Sequence, residues 1–115
     1  MDTTELVIGI LSDALDVPVS TEVPMQRPDR LAMVALDGDA SDGFILRPRY
    51  AITCWGASDL DAHGIALSAL HALADAARDH PLLSHASMES MARDEWARDG
   101  QARYVLTVDL TINTD

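Results

Sequence analysis

An α+β two-layer sandwich is the fold class this chain predicts: a mostly antiparallel sheet of four to five strands with two helices packed on one face. Three observations lead there. From Ser58 to Asp79 an Ala-rich segment places Asp61, Gly64, Ser68, His71, Asp75 and Arg78 on one helical stripe and Ala62, Ala66, Ala69, Leu70, Leu73 and Ala77 opposite, the pattern of a helix lying flat on a sheet. From Arg103 to Asn113 the side chains Tyr104, Leu106, Val108, Leu110 and Ile112 alternate with polar or smaller neighbours, which makes a strand with one core face. Ahead of the helix lie two apolar runs, Leu31–Leu36 and Phe44–Trp55, joined by the acidic, Gly-bearing Asp37–Gly43, a hairpin by composition.

Taken in order, Thr3 or Thr4 caps a first helix that runs to about Leu15, with Leu6, Val7, Ile10, Leu11 and Ala14 as its apolar face and Ile8 widening it. Val17–Val23 reads as a short extended segment. Pro18, Pro24 and Pro28 confine this region to a sheet edge or an irregular connection, an edge that another subunit could cover. In the return strand Leu46, Tyr50, Ile52 and Cys54 face the long helix, and Arg47, Arg49, Ala51, Thr53 and Trp55 share the other side. Ser58 caps the long helix, Asp59 and Asp61 sit at its positive end, and Pro81 stops it. A weakly patterned strand follows, about His85 to Met91, with Met88 its best core candidate. Arg93–Gln101 is a polar loop or hairpin tip around Trp96.

At 115 residues the chain is one domain, 1–115, long enough to bury roughly two thirds of the surface its unfolded form exposes. Large apolar residues are sparse and Ala is abundant, so the isolated core is expected to be thin and partners to add stability. A net charge of −11 disfavours tight wrapping of phosphate backbones, which requires cationic side chains, but leaves passing contact with DNA open. The single cysteine, Cys54, excludes an intrachain disulfide and fits a reducing cytoplasm. The first residues carry no basic stretch and no apolar run approaches a membrane span, so the chain is expected to be soluble and not exported by the general signal-peptide route.

Candidate chemistry is slight. Asp37–Gly43 offers oxygens at alternate positions, but a calcium loop of the EF-hand kind needs Gly at its sixth place and Glu at its twelfth, where Asp42 and Pro48 stand. It reads as an acidic turn. His63, His71, His80 and His85 with Cys54 match no spacing of metal ligands and read as surface or helix-end histidines, and Cys54 reads as core. No nucleophile elbow or Gly-rich phosphate loop is present, so nothing positive points to an enzyme and no metal or cofactor is expected. Arg47 and Arg49 are the one pair of cations on a strand face. Two readings stand for them, local salt bridges and a subunit contact to acidic neighbours. With Trp55 at the core edge and Trp96 in the polar loop, they form the candidate subunit interface.

The succession Val17-Pro-Val, Val23-Pro, Arg27-Pro, a strand into an acidic Gly-bearing hairpin, a strand ending Cys54-Trp55, an Ala-rich helix and a close of Gly100-Gln-Ala-Arg-Tyr-Val-Leu-Thr-Val-Asp-Leu-Thr111 resembles the tail terminator proteins of long-tailed actinobacterial phages. The resemblance covers nearly the whole chain and rests on fold signatures. It departs at Ala92–Asp99, where such proteins often carry a Pro-Asp turn. The resemblance implies a hexameric ring that caps the head-proximal end of the tail tube, halts its growth and offers a surface for head attachment. Implied partners are further copies of the chain, the major tail tube protein and a head-completion or connector protein. The location implied is the neck of the virion, after assembly in the host cytoplasm. No catalytic residues come with the family. DNA would pass through the channel without being held, and an acidic wall suits that passage. Two rival readings are a head-to-tail connector or head-completion protein, and a small acidic enzyme or ligand-binding domain.

Overall fold

Asp2 begins the first helix. In the computed structural model, which describes residues 2–94 and 101–113, its carboxylate accepts from Thr4 N at 3.0 Å and Glu5 N at 3.3 Å, so the N-cap lies one residue ahead of the expected threonines. The threonines are engaged elsewhere. Their hydroxyls meet the phenol of Tyr50 at 2.6 Å and 2.9 Å, satisfying the polar tip of a side chain that is otherwise fully buried. Helix α1 (Thr3–Ala14) buries Val7 and Leu11 and partly buries Leu6, Ile8 and Ile10, while Ala14 is exposed.

Strand β1 (Val19–Ser20) runs parallel to β2 (Leu31–Asp39), and β2 returns through β3 (Ile45–Leu46) and β4 (Pro48–Trp55). Helix α2 (Asp59–Asp79) follows, then β5 (Leu83–Arg93) and β6 (Arg103–Asn113). The expected α+β class holds, with helices on one face of the sheet. Strand β6 is central, antiparallel to β4 on one side and to β5 on the other, and its last residues pair with β3. The six strands exceed the expected four to five because β1 and β3 are two-residue pieces, and β1 makes the sheet mixed.

The hairpin between β2 and β4 is longer than composition suggested. Strand β2 continues past the acidic residues to Asp39 through a register shift at Leu36/Gly38, and the turn shrinks to Gly43 and Phe44 between the mutually bonded Asp42 and Ile45. Gly43 takes φ +46°, the left-handed conformation that the first central position of such a turn favours.

The expected faces hold for β4 and β6. Tyr50, Ile52, Cys54, Leu106, Val108, Leu110 and Ile112 are buried against Ala62, Ile65, Ala66, Ala69 and Leu73 of α2 and Val7 and Leu11 of α1. Ser58 caps α2 as expected, accepting from Asp61 N at 3.1 Å, and the helix ends at the His80 cap before Pro81. Alanines along its buried side let the helix lie close to the strands, which is how a core with few large residues closes.

Strand β5 departs from expectation. Met88 pairs with buried Val108 yet is 48% exposed, and the core positions go to Leu83 and, in part, Ala86 and Met91; register shifts between Leu83 and His85 and between Met88 and Ser90 break the simple alternation. The strand also starts earlier and ends later than the sequence suggested. Of the expected polar loop, residues 95–100, with Trp96, lie outside the described residues.

Candidate interaction surfaces

Among the described residues no helix lies on the second face of the sheet. Arg49, Ala51 and Thr53 of β4 face Asp109, Thr107 and Val105 of β6, and all six are half-buried by their neighbours alone. Arg49 makes a two-pronged bond to Asp109, at 2.8 Å and 3.1 Å, and reaches Glu89 of β5 at 3.6 Å. That guanidinium holds the Asp109 carboxyl below the usual range, and Asp109 in turn raises Arg49. Arg47 lies in the break between β3 and β4 and pairs with Asp42 at 2.7 Å. The structure therefore separates the two arginines, each with a carboxylate partner of its own chain.

Trp55 ends the same face but is only 3% exposed. The guanidinium groups of Arg27 and Arg103 cover its ring, at 5.3 Å and 5.5 Å from the centroid. Gln101 accepts from Arg27 at 2.6 Å and donates to Asp29 O at 2.7 Å, and Arg103 pairs with Asp94 at 2.8 Å. The indole N–H finds no acceptor among the described residues. A neighbour reaching Trp55 would first have to displace this cover, and Trp96, the other expected anchor, lies outside the described residues.

At the start of α2 stands Arg30, which no motif in the sequence announces. Its guanidinium grips Asp61 at 3.0 Å and 3.1 Å and lies 3.6 Å from Asp16. Asp61 also accepts from Ala57 N at 2.9 Å, and that bond first, Arg30 second, holds its carboxyl below the usual carboxylate range. Gly56 is the tight point beneath. A Cβ there would lie 2.4 Å from Ala62 N, so only glycine lets the strand exit pass under the helix.

Reactive groups are not gathered. Burial pushes the Cys54 thiol up to about 12, so it carries no thiolate at neutral pH. His63 stacks on Tyr104 with centroids 5.0 Å apart, His80 caps α2, and His71 and His85 are exposed on separate elements. In the acidic hairpin Asp39 accepts from the Ser41 hydroxyl and from Ser41 N, which in that order hold its carboxyl below the usual range, and Asp42 holds Arg47.

Two features escaped the sequence reading. The hairpin tip is exposed from Asp39 to Phe44, with Phe44 at 83% and Leu36 at its base at 53%. An aromatic residue placed directly after the glycine of a turn was the available signal for it. The sheet also ends in two unlike edges. Among the described residues strand β5 pairs only with β6, and β2 beyond its short pairing with β1 has β4 alone. No helix among the described residues is long and apolar enough to cross a membrane.

No family model matches the chain, and no curated protein matches it. The geometry offers recognition surfaces, and the functional reading rests on them and on the order of elements.

Proposed function

We propose that this chain is a ring-forming structural protein of a phage neck, capping the head-proximal end of the tail tube, ending its polymerisation and presenting a surface for head attachment. The order of elements first suggests this reading, and the observation that carries it is the pair of unlike sheet edges. Joining the long β5 edge of one copy to the β2 edge of the next is a heterologous contact, and such contacts close into rings when the rotation per subunit allows. The exposed hairpin tip supplies an apolar reach toward a neighbour. In such a ring Arg47 and Arg49 lie at the subunit contact, oriented by Asp42 and Asp109.

Electron microscopy of tail tubes assembled with and without the chain tests the reading. The expected result is a ring at one end of each tube and arrested tube length. Tubes that overgrow equally in its presence and carry no ring contradict it. Rings found on filled heads and not on tubes assign the chain to head completion instead.

A further inference from the structure

A second surface lies away from both sheet edges, and it stands apart from the ring reading. Along the outer side of α1 runs a groove of about 410 Å³, bounded on its far side by His80 and Leu82. Its floor is apolar: Leu6, Gly9, Ile10 and Leu82. Its rim is acidic, with Asp2, Glu5 and Asp13.

Gly9, like Gly64 in α2, is a helix glycine that the chain's own packing does not explain. Glycine inside a helix destabilises it relative to alanine. A Cβ at Gly9 would meet nothing within 4 Å, so no contact of this chain requires its absence. What the glycine does provide is room at the middle of the groove, where another helix can approach closely.

Charge decides what that helix is. Glu5 and Asp13 form no ion pair among the described residues, and Asp2 is turned to its capping role. A second copy of the chain is a poor occupant. Among the described residues its Arg30, Arg47, Arg49, Arg78, Arg93 and Arg103 are each bound to carboxylates of their own chain and Arg27 lies on Trp55 and bonds Gln101, and its own α1 would bring the same acids back to the rim. We infer that the α1 groove docks a basic amphipathic helix of a different protein, apolar side chains over Gly9 and cations against Glu5 and Asp13.

The test uses the full chain, isotopically labelled, and three synthetic probes: an amphipathic Leu/Lys helix, its Leu/Glu counterpart, and an oligolysine of equal charge. The Leu/Lys helix is expected to shift the amide resonances of Glu5, Gly9, Asp13 and Leu82, and the other two probes to leave them in place. Gly9→Leu fills the floor at a site open to solvent. It is expected to keep or raise the melting temperature and to weaken the Leu/Lys helix at least about tenfold. Equal affinity in that variant, equal binding of oligolysine, or shifts confined to other surfaces overturns the inference. So does a wild-type oligomer that dissociates on Gly9→Leu, because the groove would then be filled by the chain itself.

Discussion

The two faces of the sheet come from the same strands at alternating positions, and they have opposite characters. On the helix side Tyr50, Ile52, Cys54, Leu106 and Val108 are buried beneath two helices. One residue along in each case, Arg49, Ala51, Thr53, Val105 and Thr107 stand on a face that no element of the described residues covers. The first face closes through close-packed apolar contact, whose energy depends on volume and fit. The second is ordered by ion pairs across the strands, which set direction more than they stabilise. In this molecule stability is concentrated on one side of the sheet, and the other side is left available for contact.

The most severe way to break that division is at its joint. Gly56→Ala should destabilise the protein by at least about 3 kcal/mol, since the added carbon has only helix backbone to displace. A denaturant melt would register it as a drop in midpoint. Next comes the contrast between neighbours. Ile52→Ala should cost about 3 kcal/mol through the cavity it leaves, whereas Thr53→Ala, one residue along and on the open face, should change stability by less than about 0.5 kcal/mol. Equal costs at the two positions would erase the distinction between the faces. Tyr50→Phe should cost about 1 kcal/mol, the worth of the bonds to Thr3 and Thr4.

Acid sharpens the comparison from the polar side. Asp61 and Asp109 are held below the ordinary carboxylate range, Asp61 by the Ala57 N–H and then Arg30, Asp109 by Arg49. The folded chain therefore binds these protons less readily than the unfolded chain does. Their stabilisation is complete above the unfolded value and is lost as pH falls through the folded one. Melting temperature should be flat above about pH 5 and fall below about pH 4. Asp109→Asn should remove part of that slope, while Thr53→Ala should leave it unchanged.

The smallest effect on stability and the largest on assembly belong to Arg47 and Arg49. Reversing both charges should move the melting temperature little, because both side chains are solvent-accessible, and should abolish ring formation. Light scattering on the variant reads both consequences, and unchanged assembly would remove these arginines from the contact.

What was legible in the sequence follows the same division. The alternation in β6 and the polar stripe of α2 stated the buried face correctly, since burial leaves a periodic trace. Ser58 and Pro81 marked the ends of α2 through local chemistry. Strand β5 is hard to read in the sequence because two register shifts, at Leu83/His85 and Met88/Ser90, break its period, and the Asp2 cap is masked because the neighbouring threonines are held by Tyr50, a partner far along the chain. The contact surfaces were mostly illegible. The partners of Arg30, Arg47 and Arg49 are set by the folded geometry, and Trp55 lies under guanidinium groups from two distant segments.

The central claim is that the uncovered side and edges of this sheet exist to meet further copies of the chain. Native mass spectrometry of the full-length protein, alone and mixed with tail tubes, tests it most directly. The expected result is a closed ring of fixed stoichiometry, six protomers by the resemblance, with no larger series beyond it. A monomer under both conditions would contradict the account.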